Sequence, residues 1–126
     1  MSLDTLALWH QAVKDRDMSV LDRLVADDAV FLSPAVHSPQ VGKAMVIKYL
    51  NAAQKVLIND SFHYVEEWHG ENSAVLEFAL EIDGIKINGV DLIHWNQAGQ
   101  ITQFKVMMRP MKGLNTIIPL MAAHLV

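Results

Sequence analysis

Residues Gly84–Pro110 read GIKINGVDLIHWNQAGQITQFKVMMRP, and this stretch decides the fold. It holds two long strand-like runs on either side of the turn Asn96-Gln97-Ala98-Gly99. One carboxylate, Asp91, stands among apolar neighbours. Symmetric pairing about the turn sets Asp91 opposite Phe104. Gly89, Ile93, Trp95, Val106 and Met108 then share its face. A charge in such surroundings must be solvated, paired or neutralised, and desolvation raises a carboxyl pKa. Asp91 therefore marks either a pocket acid–base group or a structural carboxylate paired with a tyrosine or histidine.

Upstream, the two-residue alternation continues. Ala74, Leu76, Phe78, Leu80 and Ile82 alternate with Val75, Glu77, Ala79, Glu81 and Asp83, the pattern of a half-buried antiparallel strand. Asp83-Gly84 signals a tight hairpin, because that turn needs positive φ at both central positions. Phe62, Tyr64, Glu66 and Trp68 alternate with His63, Val65, Glu67 and His69, and Gly70-Glu71-Asn72 turns the chain.

Before Phe62 the period is helical. Leu3, Leu6, Ala7 and Val13 predict an amphipathic helix near residues 3–15. Asp17 can cap a short second helix carrying Val20, Leu21, Leu24 and Val25. Ala29 to Leu32 is a short strand, and residues 33–41, with two prolines, are a loop. Gly42 opens a third helix on which Val46, Leu50, Ala53 and Leu57 share a face. After Arg109-Pro110, the positions Leu114, Ile117, Ile118, Met121 and Leu125 predict a terminal helix, bent or shifted at Pro119. Helices followed by a four-strand meander imply an α+β fold: three N-terminal helices packed on a curved antiparallel sheet. Such a sheet wrapped round a helix is cone-shaped and leaves a cavity at one end. The chain, 1–126, is expected to form a single domain.

Composition limits the function classes. Ten Lys and Arg against 14 Asp and Glu give a net charge of −4, with no basic cluster to neutralise nucleic-acid phosphates. The chain has no Cys, which removes disulfides, thiolate nucleophiles and thiolate-bound zinc. No signal peptide or bilayer-length apolar run is visible, so a cytoplasmic protein without membrane contact is expected. His63, Glu67 and His69 share one strand face, but a strand at roughly 3.3 Å per residue spreads them too widely for one ion. No metal and no organic cofactor are expected.

Three strings, ALWHQAVKDRD, LVADDAVFLSP and VDLIHWNQAGQITQFKVMMRP, together with the order of elements, resemble the nuclear transport factor 2-like superfamily. That group includes ketosteroid isomerases, limonene epoxide hydrolases and SnoaL-like polyketide cyclases. The resemblance covers nearly the whole chain and implies the cone-shaped fold. It also assigns roles. The isomerase's oxyanion-donating tyrosine matches Trp9, which has only an indole N–H. Its general-base aspartate matches Ser33, which cannot act as a carboxylate. Its protonated, donating aspartate matches Asp91. The epoxide hydrolase pattern needs an Arg two residues before that Asp, where Gly89 stands. A SnoaL-like use of one acidic group on an already acidic C–H demands the fewest residues, and Asp91 alone can meet it.

The site expected from the sequence is thus Asp91 as the acid–base group, with Trp9, Ser33, His37, Trp95, Phe104 and Met108 shaping a pocket for a small apolar or carbonyl-containing ligand. His37 lies in the loop at the cone's mouth, where a solvated histidine is the common case. Ser33 before Pro34 is also a usual turn residue. Arg109 is either an anion contact or a tie to a nearby carboxylate or helix end. The uncovered sheet face, with its mix of Val, Ala, Trp and Glu, implies a homodimer. The alternative is a non-catalytic ligand-binding or dimerisation module of the same fold.

Overall fold

The computed structural model describes residues 3–125. Helix α1 (Thr5–Asp15) starts at the N-cap Asp4, whose side chain accepts from the Ala7 N–H, and buries Trp9, Ala12 and Val13. Helix α2 (Leu21–Leu24) is a single turn. Strand β1 (Val25–Leu32) pairs with the two-residue strand β2 (Gln40–Val41), and helix α3 (Lys43–Leu57) follows. The strands β3 (His63–His69), β4 (Ser73–Ile82), β5 (Ile85–Trp95) and β6 (Ile101–Arg109) form the meander, and helix α4 (Met111–His124) ends it. The six strands make one curved, unclosed sheet in the order β2-β1-β6-β5-β4-β3. All pairs are antiparallel except β1 with β6.

The alternation expected in the meander is present. Ala74, Leu76, Phe78 and Leu80 on β4, and Ile87, Gly89, Asp91 and Ile93 on β5, all point into the core. Each large apolar side chain withdrawn from water contributes roughly 1.5–3 kcal/mol. The turn between β4 and β5 has Asp83 at φ 52° and Gly84 at φ 78°, the double positive φ that selects Asp-Gly there. Close packing sets another glycine. A Cβ on Gly89 would lie 2.5 Å from the Phe78 ring and 2.6 Å from the Met107 carbonyl oxygen.

Four details differ from the sequence-based expectation. β1 begins at Val25, not Ala29, because its parallel pairing with β6 shifts register between Val25 and Val30 and lets Asp27 and Asp28 face solvent. A short strand, β2, lies inside the expected 33–41 loop. Asp91 pairs with Val106, and it is Ile93 that pairs with Phe104. The symmetric count fails by two positions: five residues, 96–100, separate the paired Trp95 and Ile101, and His94 pairs with Gln103, so Thr102 is an extra residue. That bulge also lets Ile101 and Phe104, three residues apart, both be buried. A second bulge, at Val65 between Tyr64 and Glu66, reassigns the faces of β3. Glu67 and His69 therefore stand opposite inward-facing Leu76 and Ala74, while His63 stands opposite outward-facing Ala79.

The N-terminal segment is tied to the β5–β6 hairpin. The Leu3 N–H donates to the Ala98 carbonyl at 2.8 Å, and the Thr5 hydroxyl donates to the Gly99 carbonyl at 2.6 Å. One helical turn later, these contacts set Trp9 over the sheet. At the other wall, Asn59 Oδ1 accepts from the N–H groups of Ser61 and Phe62, and its amide donates to the Glu81 carbonyl. This aims the start of β3, and with it Tyr64, into the cone. Helix α4 continues through Pro119 and packs against α3, β5 and β6, burying Gly113 and Ile117.

Candidate functional site

Two apolar cavities, each partly open, lie inside the cone. The inner one, about 30 Å³, is lined by Trp9 of α1, Leu50 of α3, Tyr64 of β3, Phe78 of β4, Asp91 of β5 and Phe104 of β6, among others. It has room for about one water molecule. The outer one, about 150 Å³, lies beneath α4 and is lined by Ser33, Tyr49, Met108, Ile117 and Met121, among others. Ala53, Leu57 and Val106 line both.

Asp91 is 6% exposed. Tyr64 Oη donates to Asp91 Oδ2 at 2.9 Å, and the Trp9 indole N–H donates to Tyr64 Oη at 2.9 Å. Asp91 Oδ1 has no hydrogen-bond partner among the described residues and is left for the cavity. Burial pushes the Asp91 carboxyl up to about 7, and the Tyr64 hydrogen bond only partly offsets this. Burial, followed by the neighbouring Asp91 charge, raises the Tyr64 hydroxyl well above the usual phenol range. Tyr64 is thus a donor throughout the neutral range, beside a carboxyl that changes charge near pH 7. Its ring is held edge-on by Phe62 and by His10, each 5.2 Å away. His10 and His69 in turn both contact Glu67, whose carboxyl is pushed up by partial burial but held low overall by those two hydrogen bonds.

The structure divides the residues expected from sequence into three groups. Trp9, Asp91 and Phe104 meet at the inner cavity, with the Trp9 and Phe104 rings 4.9 Å apart. Ser33 and Met108 line the outer cavity. Ser33 Oγ also accepts from the Ala35 N–H, forming a local turn. His37 is exposed and Trp95 half-buried, and neither is among the residues lining these two cavities. Arg109 is exposed and donates to Asn88 Oδ1 at 3.4 Å. It borders an open groove of about 500 Å³ with Ser61, His63 and Lys86. That groove is larger than either cavity, but Asp91 is not among the residues that line it. Among the described residues, no group of His, Asp and Glu is arranged to hold a metal ion, and no helix is long and apolar enough to cross a membrane.

Tyr64 is the residue that sequence reasoning missed as a site member. Its alternation with Phe62 placed it on one face, but the same face then included Glu66 and Trp68, and nothing local showed the bulge that separates them.

Residues 6–104, which carry the bent sheet and the helices α1 and α3 that cover Asp91, match a family model for the SnoaL-like domain. The chain belongs to the SnoaL-like family. A relative at 38% identity is a steroid delta-isomerase from Pseudomonas aeruginosa, whose crystal structure superposes with a TM-score of 0.91. The match covers 96% of this chain and 88% of that one. An uncharacterised protein with a cystatin-like fold from Silicibacter pomeroyi is 29% identical, with a TM-score of 0.86 over 95% of this chain and 84% of that one. A putative isomerase from Rhodopseudomonas palustris, at 18% identity, shares the fold, with a TM-score of 0.64 over 94% of this chain and 99% of that one. No curated protein matches the chain at a significant level. The SnoaL-like, nuclear transport factor 2-like architecture expected from the three strings is therefore the architecture of this chain.

Proposed function

We propose that this protein binds a small apolar carbonyl compound inside the cone and moves a proton on it, with Asp91 as the acid–base group. The observation that carries this is a buried carboxyl with one free oxygen facing a cavity and a pKa of about 7. A base is most effective when its pKa lies near the operating pH. In the proposed step, Asp91 Oδ1 takes a proton from a carbon next to the carbonyl, and the C–H electron pair passes into the enolate. The proton is returned at the same or a conjugated carbon, so Asp91 ends as it began. Tyr64 holds Oδ2 throughout and is a positioning residue. The kinship with a steroid delta-isomerase supports this class of reaction. Asp91 stands in as base for the isomerase pattern's aspartate, replaced here by Ser33, and Trp9, whose N–H is given to Tyr64, stands where that pattern has its oxyanion-donating tyrosine, so neither oxyanion donor of the pattern is left for the enolate oxygen. The substrate must therefore already be a good carbon acid.

The test is exchange of α-hydrogens into solvent deuterium, followed by NMR on ethyl acetoacetate and 2-cyclohexen-1-one, both uncharged across the neutral range. Catalysed exchange is expected to rise with pH, with a midpoint near 7, and then to level off. Its absence for both compounds, or a rate indifferent to pH between 5 and 9, would refute the proton-transfer reading. It would favour a binding module that uses the same cavity without chemistry.

We also propose that two copies pair through the outer sheet face. Across the strands, outward Trp68 stands opposite Val75, Val75 opposite Leu92, and Val90 opposite Met107. Trp68 is 50% exposed and Met107 56%, an apolar stripe that supports association. Sedimentation should give twice the chain mass at micromolar concentration, and Trp68→Glu with Met107→Glu should give the chain mass. A wild-type monomer at 100 μM would end this proposal.

A further inference from the structure

We infer that the two cavities are one bipartite site built for a single-ring compound with one hydrogen-bonding substituent, the ring lying beneath α4 and the substituent reaching Asp91. This rests on the proton-transfer reading for the role of Asp91, but the size and shape of the ligand are argued from the walls. The outer chamber, about 150 Å³, is bounded by Phe31, Leu114, Ile117 and Met121. An apolar cavity of this size takes one benzene-sized molecule, and this one opens to solvent past the exposed Val36 and Ile118. Pockets for larger drug-like ligands run to about 300–1,000 Å³, more than both chambers together hold. The inner chamber, about 30 Å³, fits one heavy-atom group. Leu57 from α3 and Val106 from β6 line both chambers, and they form the partition through which the substituent must pass. Val106 is also the direct cross-strand neighbour of Asp91, so a group passing this partition arrives beside the carboxyl.

The outer chamber offers few polar atoms. The Ser33 hydroxyl is engaged by the Ala35 N–H, and among the described residues no Lys, Arg, Asp or Glu lines the chamber. A ligand with a charged tail would leave that charge buried and unpaired. A two-ring or four-ring compound would have to leave apolar surface in water past Val36 and Ile118, or displace α4. The structure therefore assigns size selection to Leu57, Val106 and the inward face of α4.

The chain carries its own reporters. Met18 lines the inner chamber, Met108 and Met121 line the outer one, and Met45 and Met111 are exposed. The experiment is titration of the full chain, with methyl-labelled methionines, by phenol, 2-naphthol and estradiol at pH 8. Phenol is expected to shift Met18, Met108 and Met121 together, with one saturating curve, and to leave Met45 and Met111 unmoved. The two larger phenols should bind at least tenfold more weakly. Leu57→Ala should narrow the gap between phenol and 2-naphthol. Should that variant fail to fold, Val106→Ala widens the same passage from the opposite wall. Shifts at Met108 and Met121 without Met18 would show two separate chambers and overturn the inference. So would the absence of saturable binding, or estradiol binding as tightly as phenol. Failure of the exchange assay with phenol binding intact would strike the proton-transfer reading alone. Catalysed exchange without phenol binding would strike this inference alone.

Discussion

Asp91→Asn is expected to change stability relative to the wild type by roughly 4 kcal/mol between pH 4 and pH 8, in favour of the variant at high pH. The folded protein holds the Asp91 proton up to about pH 7, whereas an unfolded chain releases it near about 3.9. Between those values the folded state binds one proton more than the unfolded state, so stability falls as pH rises. The favourable contribution is complete below the unfolded value and is lost as pH climbs through 7. Above that it is flat, at its lowest. Each pH unit across the window is worth about 1.36 kcal/mol. Asparagine cannot ionise and still offers an oxygen to the Tyr64 hydroxyl, so its curve lacks this slope. Denaturant unfolding of both proteins at pH 4, 5, 6, 7 and 8 gives the difference curve directly, and other titrating groups cancel in it. A flat difference curve would mean that Asp91 ionises in the folded state as freely as in water, and the case for a tuned acid–base group would go with it.

Tyr64→Phe separates positioning from burial. The Tyr64 hydrogen bond is the influence that lowers the Asp91 carboxyl against burial. Its removal should move the midpoint of the exchange–pH profile upward from that of the wild type. The same change leaves the Trp9 indole N–H without its acceptor, which costs roughly 1–3 kcal/mol. A purely structural tyrosine would show the stability loss without the shifted midpoint, so the pH profile is the deciding measurement. A midpoint that stays still or moves down would overturn the assignment of Tyr64 as a positioning residue.

The residues that were easy to read and those that were not differ for physical reasons. The inward face of β4 and β5 was legible because antiparallel strands with one buried face force a two-residue alternation, and Asp91 interrupts an otherwise apolar series. Its opposite number was not legible. A turn of five residues in place of four and a bulge of one residue at Thr102 together move the pairing partner by two positions, and neither Thr102 nor Gln103 carries a signature of the extra residue. The bulge at Val65 hid Tyr64 in the same way. It turned an apparent His63–Glu67–His69 face into a Glu67–His69 pair that meets His10 from α1. The apolar spacing of α4 predicted a helix, but spacing along a helix does not say which cavity the helix roofs. Trp9 was legible as core and as pocket wall together, since one helical face serves both.

The contacts that bolt Leu3 and Thr5 to the Ala98–Gly99 turn join the first residues of the chain to a hairpin some ninety positions away. That hairpin is part of the seat for α1, so seating the helix is a contact of high order, one that closes most of the chain into a loop. When α1 seats, Trp9 closes over Tyr64, and Asp91 is withdrawn from water. Near pH 6 that withdrawal takes up a proton from solution, so the chain's assembly is a small act of acid consumption, and the pH of its surroundings is among the forces that decide how firmly its first helix is held.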